Sequence, residues 1–157
     1  MNINANGGLL HHNNFYMPPS SSGGPDVLAI HPNEDWSQPT TFGMADTQGP
    51  NGGERNLYFE DNTFTNILET APDGDQGARV VIRHNTYTDS SIVFHGGGNT
   101  NDSGNTSGGA RQFEVYNNTF NRVNANDAMN KWIWVRGESG VIANNYMDEL
   151  LCSYHRS

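Results

Sequence analysis

The sequence predicts an all-β solenoid, a parallel β-helix with asparagine corners and long loops. Three observations carry this expectation. A six-residue pattern (apolar, two variable, Asn, one variable, aromatic or Met) occurs five times: Leu10 to Phe15, Phe59 to Phe64, Ile82 to Tyr87, Val115 to Phe120 and Ile142 to Met147. Its asparagines, Asn13, Asn62, Asn85, Asn118 and Asn145, are 49, 23, 33 and 27 residues apart, so the first interval is about two of the second and the last two fit one repeat with an insertion. Finally, alternating apolar runs precede most of these asparagines, whereas helix signals are few.

The runs Leu57-Tyr58-Phe59, Val80-Val81-Ile82, Phe113-Glu114-Val115 and Val141-Ile142 read as one strand set. A period of two puts Leu57, Phe59, Val80, Ile82, Phe113, Val115 and Ile142 inward, and Tyr58, Val81, Glu114 and Val141 outward. Each Asn makes a sharp corner, tolerates the left-handed region and can bond to the Asn of the next turn. Phe15, Phe64, Tyr87 and Phe120 then turn inward and stack under the corner. A second strand set contains Ile92-Val93-Phe94-His95 and Ile133-Trp134-Val135-Arg136, with Leu28-Ala29-Ile30-His31 in the same frame. Thr40 to Met44 is a further candidate strand. Gly77-Ala78-Arg79 recurs as Gly109-Ala110-Arg111, but the later copy is one residue farther from its Asn. A bulge there keeps Phe113 inward and Glu114 outward. Residues 16–26 and 96–109 are Ser/Gly/Pro- or Gly/Asn-rich and read as loops.

At 157 residues the chain is one domain's worth, with repeats over about 8–150. It holds 22 Asn and 18 Gly, residues suited to turns rather than to a conventional core. A formal charge of -9 with one Lys argues against nucleic acid as a partner, because there is no basic surface to displace counterions. The same charge disfavours anionic membranes, and no apolar run is long enough to insert in one. Cys152 is the only cysteine, so no internal disulfide framework forms. Residues 1–8 lack the charged start and apolar stretch of a signal peptide. The repeats run nearly to both ends, which leads us to expect flanking β-helix turns or caps of a longer chain as partners.

The strings Tyr58-Phe59-Glu60-Asp61-Asn62-Thr63-Phe64, Gly77 to Asn85, Val115-Tyr116-Asn117-Asn118-Thr119-Phe120 and Trp134-Val135-Arg136-Gly137 resemble right-handed parallel β-helix repeat proteins of the pectin-lyase-like superfamily. The resemblance covers roughly Gly8 to Met147. It implies a secreted or cell-surface protein acting on, or binding, a polysaccharide. It spans lyases, glycoside hydrolases, epimerases, tailspikes and adhesins, and so leaves activity open.

On such a fold, sites are columns of outward residues. His31, His95 and Arg136 end successive copies of the second strand set, where they can bind a sugar carboxylate or move a proton, or simply cap strand ends. His11, Glu60, Arg83 and Tyr116 follow the first strand set, with His12, Asp61, His84 and Asn117 beside them. Glu60 and Arg83 read as a cross-strand ion pair, or Arg83 and His84 as catalytic groups with Glu60 contacting substrate. Lyases of this resemblance use Arg or Lys as base, often with calcium. Lys131 being the only lysine, Arg83 or Arg136 would serve. Trp132, Trp134 and Tyr58 are candidates for stacking on sugar rings. Asp73 and Asp75 share one loop and are candidates for binding a cation or water. The calcium-roll pattern Gly-Gly-x-Gly-x-Asp is absent, as are phosphate-loop, nucleophile-elbow and zinc motifs.

Two functions therefore stand: a polysaccharide lyase or glycoside hydrolase, and a non-catalytic glycan-binding or structural β-helix. An enzyme would gather His95, Arg136 and a partner into one groove beside Trp132 and Trp134. A binding or structural solenoid would spread them.

Overall fold

The structure is a computed structural model, and it describes residues 2–3, 7–18, 29–30, 56–67, 71–74, 78–94, 99–100, 106–107, 110, 112–123, 131–136 and 139–148. Among these, every regular element is a strand. The first pass of the chain is β1 (Asn2–Ile3), β2 (Gly8–His11) and β3 (Asn14–Tyr16). The second is β4 (Ala29–Ile30), β5 (Leu57–Glu60) and β6 (Thr63–Thr65), and the third is β7 (Asp73–Gly74), β8 (Arg79–Arg83) and β9 (Thr86–Thr88). The fourth opens with β10 (Ile92–Phe94), carries a side hairpin of β11 (Asn99–Thr100) and β12 (Thr106–Ser107), and closes with β13 (Gln112–Tyr116) and β14 (Thr119–Asn121). The fifth is β15 (Ile133–Val135), β16 (Ser139–Ala143) and β17 (Tyr146–Met147).

Corresponding strands of successive passes pair in parallel. Sheet A has the order β1-β4-β7-β10-β15, sheet B β2-β5-β8-β13-β16 and sheet C β3-β6-β9-β14-β17. The chain thus visits three sheets in one fixed order five times, each pass forming a rung.

The corner between sheets B and C fixes the register. The side-chain amides of Asn13, Asn62, Asn85 and Asn118 each donate to Oδ1 of the next asparagine in the series, at 3.0, 3.1, 3.0 and 3.0 Å. Their backbone N–H groups donate to the same oxygens. The amides also reach back one rung, Asn62 to the Leu10 carbonyl, Asn85 to Phe59, Asn118 to Ile82 and Asn145 to Val115. Asn62, Asn85 and Asn118 are buried, and these bonds satisfy amides that would be costly to bury unpaired. The left-handed residue at each corner is not the column Asn, as expected from sequence, but its predecessor: His12, Asp61, His84, Asn117 and Asn144 have φ between 51° and 59°. The column Asn can then follow a sharp reversal and keep its amide aimed along the stack. A second corner, between sheets C and A, holds Asn66 and Asp89 at φ 60° and 47°. There the buried Ser90 hydroxyl accepts from the Ile67 N–H and donates to the Thr88 carbonyl.

Between the sheets lies a core of like side chains in columns. Phe15, Phe64, Tyr87 and Phe120 stack with centroids 4.7–4.9 Å apart and planes within 14°. Trp132 packs against Phe120 with its ring tilted by 47°. Phe94 and Phe113 form a second stack at 4.4 Å. Phe113 also explains a glycine: Gly140 is its partner in the next rung, and a Cβ there would stand 2.3 Å from the ring.

Several sequence expectations change. The residues after each Asn form a sheet of their own, so a rung has three strands. Asp73 is not in a loop; it sits on β7, buried, between Ala29 and Val93. Within the expected loop 96–109, β11 and β12 pair antiparallel. Arg79 pairs with Gln112, so β13 runs unbroken and the extra residue of the later copy falls before it. Val81 and Glu114 point away from the core, yet both are buried, so the outer face of sheet B is covered at its middle. Thr40 to Met44, Cys152 and most of the 16–26 loop lie outside the described residues.

Tyr87 is fully buried, and its hydroxyl has no hydrogen-bond partner among the described residues. Burial pushes its pKa well above the ordinary tyrosine value. Its column neighbours are phenylalanines, so Tyr87→Phe should stabilise by about 1 kcal/mol in denaturant melts. The folded state keeps this proton where the unfolded chain releases it, so stability falls as pH rises past about 10. The Phe variant should lose that part of the alkaline decline. A lower midpoint for Tyr87→Phe would mean that the hydroxyl has a partner.

Candidate functional site

The corner geometry makes one outward column rich in chemistry. The last residues of the sheet B strands, His11, Glu60, Arg83, Tyr116 and Ala143, are in register across the five rungs. Arg83 bridges its neighbours on both sides. Its Nε donates to Glu60 Oε1 at 2.6 Å, and its second terminal nitrogen pairs with the same oxygen. The first terminal nitrogen donates to the Tyr116 hydroxyl at 2.7 Å. The guanidinium also lies 5.5 Å from the Tyr58 ring centroid and 5.9 Å from that of Tyr116. Both tyrosines are partly exposed. The result is a shelf of two aromatic rings, one cation and one carboxylate spanning three rungs. Partial exposure limits the ion pair to about 1 kcal/mol of stability, so it organises the shelf more than it holds the fold.

Beside the shelf runs the left-handed column. His84 is exposed there at φ 59°. On the first rung, His11 and His12 bring their Nδ1 atoms to 2.8 Å with the rings edge to face.

The predicted residues on sheet A separate from this shelf. Trp134 pairs with Val93 and is 38% exposed. Two cations lie over its ring, the Lys131 ammonium at 3.5 Å and the Arg136 guanidinium at 4.1 Å from the centroid. That contact ties Arg136 to Trp134 on sheet A, away from Arg83 and His84 on the sheet B corner. Trp132 is not exposed, contrary to the sequence expectation. It is 4% exposed, packs on Phe120 and donates its indole N–H to the Asp148 carbonyl at 3.2 Å. It precedes β15, so strand alternation with Trp134 does not extend to it. His31 and His95 lie outside the described residues, as does Asp75.

Calcium is the ion that the resemblance attaches to uronate lyases. Among the described residues no group of three or more His, Cys, Asp or Glu converges to hold a metal ion. The Glu60 carboxylate is engaged by Arg83, and Asp73 is buried on a strand. No helix among the described residues is long and apolar enough to cross a membrane.

Sequence reasoning missed two partners. Tyr116 is in the same column as Glu60 and Arg83, and that register is the signal that should have added it to the shelf. Lys131 carries no periodic signal, because it lies in the corner before β15.

The corner conformation yields a direct test. His84→Gly should fold as well as the parent, whereas His84→Val should lose about 1–2 kcal/mol, since a β-branched residue resists the left-handed region. Equal denaturation midpoints for the two variants would contradict the left-handed corner.

No family model, curated protein or solved structure matches the chain.

Proposed function

We propose that the chain is a right-handed parallel β-helix of a secreted or surface-exposed protein, and that it binds a glycan on the outer corner of sheet B without cleaving it. The three parallel sheets visited in fixed order support the β-helix reading. The right hand follows the strong chiral preference of parallel crossovers. The single observation that carries the binding reading is the shelf of Tyr58, Arg83, Glu60 and Tyr116. Partly exposed aromatic faces suit the apolar C–H faces of sugar rings, and the adjacent guanidinium and carboxylate offer hydrogen bonds to hydroxyls. An acidic chain also suits a neutral glycan better than a polyuronate.

The non-catalytic reading is favoured by dispersal. Arg83 is occupied by Glu60 and Tyr116, Arg136 covers Trp134 on another sheet, and Trp132 is in the core. Of the described candidate acid–base groups, Arg136 stands apart on sheet A from Arg83 and His84, which share the sheet B corner. Asp61 neighbours Glu60, but its corner position at φ 53° turns it out of the strand.

A glycan array read with the parent, Tyr58→Ala and Tyr116→Ala tests the proposal. Each substitution should weaken binding about fivefold or more, the equivalent of about 1 kcal/mol of ring stacking. A polysaccharide panel, with calcium and with chelator, should show neither reducing-end release nor the ultraviolet absorbance of unsaturated uronates. Binding unchanged in both variants would remove the shelf, and product release would replace binding with catalysis.

A further inference from the structure

We propose that the outer face of sheet C is an ice-binding surface, a flat net of threonine hydroxyls and methyls that fits the water lattice of an ice crystal. The face lies on inner rungs and is separate from the glycan shelf, which stands on sheet B.

The residue after each column Asn and the residue two farther on point outward, on either side of an inward ring. In the three inner rungs these are Thr63 and Thr65, Thr86 and Thr88, Thr119 and Asn121. Register sets Thr63, Thr86 and Thr119 in one column and Thr65, Thr88 and Asn121 in a second. Thr63 is exposed and the other five are partly exposed. Strand propensity favours threonine in general, but it does not account for the repetition. Outward columns of sheet B change type at every inner rung, from Tyr58 to Val81 to Glu114 and from Glu60 to Arg83 to Tyr116.

Flatness and spacing follow from the packing beneath. Each outward pair flanks a ring of the core stack, Phe64, Tyr87 or Phe120. Successive rings lie 4.7 Å apart, with planes at 7° and 14°. Neighbouring strands of an ordinary sheet rotate by about 20–25°, so these rungs stack with little twist. The outward positions repeat at about 4.8 Å along a column and about 6.6 Å across it. A prism face of ordinary ice presents water oxygens in a rectangular net of comparable dimensions. The asparagine corner holds the first column in place: the Thr63, Thr86 and Thr119 N–H groups donate to the carbonyls of Asn13, Asn62 and Asn85, each at 2.9 Å.

The chemistry selects the occupant. The six positions carry no charge, so no ionic hydration shell competes with a lattice arrangement of water. None of the five hydroxyls takes part in a hydrogen bond among the described residues, which leaves each able to hold a lattice water. The methyls between them restrict the orientation of the waters they touch. A crystalline polysaccharide would call for aromatic faces in the net, and all three rings are buried in the core.

The test is growth of ice into a solution of the full chain. The parent should be enriched in the ice relative to an inert protein of similar size, and should hold the growth temperature of a crystal below its melting temperature. Thr86→Lys puts a hydrated ammonium at the centre of the net and should be excluded from the ice, with an unchanged far-ultraviolet spectrum. Val141→Lys adds the same charge on the outer face of sheet B and should be enriched like the parent. Exclusion of the parent, or equal enrichment of the parent and Thr86→Lys, overturns the proposal. So does retention of the parent on crystalline chitin or cellulose, lost in Thr86→Lys, without enrichment in ice; that result gives the face to a glycan. If Thr86→Lys does not fold, Thr88→Lys takes its place, and the partition of the parent still decides the question.

Discussion

The fold depends on the hydrogen-bonded column of Asn13, Asn62, Asn85, Asn118 and Asn145. A buried primary amide is costly unless its donors and acceptor are satisfied, and here satisfaction comes from the rungs on either side. A one-residue slip of any rung would break bonds on both sides and move its apolar set to the outer face. The column thus converts a cost into a register. The aromatic stack follows from it, because two residues past each Asn the chain always delivers a ring or a Met to the same height.

The same constraint explains where chemistry collects. The residue before each column Asn must adopt the left-handed region, which turns its side chain out of the strand. The residue before that ends a sheet B strand and stands beside its counterparts about 4.8 Å away. Glu60, Arg83 and Tyr116 occupy that position in three consecutive rungs, so the shelf is a by-product of the ladder's spacing. Elsewhere the outer surface is less available. Val81, Val93 and Glu114 are buried although they face away from the core, and Trp134 is capped by Lys131 and Arg136.

Much of this was legible in the sequence because it is periodic. The strands before each Asn, the inward residues of sheet B, the ring stack and the frame shared by Val93 and Trp134 all follow from period two and from the recurrence of Asn. What escaped lacked a period. β7 is two residues, Asp73 and Gly74, with no apolar alternation to announce it, and only its place between β4 and β10 makes it a strand. The second corner was hidden because Asn66 and Asp89 differ in type, although each falls four residues after a column Asn. Trp132 was misread by extending strand alternation one residue past the start of β15. Glu114 was correctly turned from the core, but a sequence pattern does not say what covers an outer face.

Native-state amide hydrogen exchange measures the central claim most directly. The backbone N–H groups of Asn62, Asn85 and Asn118 each donate to a neighbouring Oδ1 within the stack, whereas that of Asn145 has no such acceptor among the described residues. In dilute, monomeric protein, the three inner amides should exchange only through the most global opening, and the Asn145 amide should exchange much faster. Comparable protection at Asn85 and Asn145, or rapid exchange at all of them, would contradict the account in which the asparagine column sets the register of the fold.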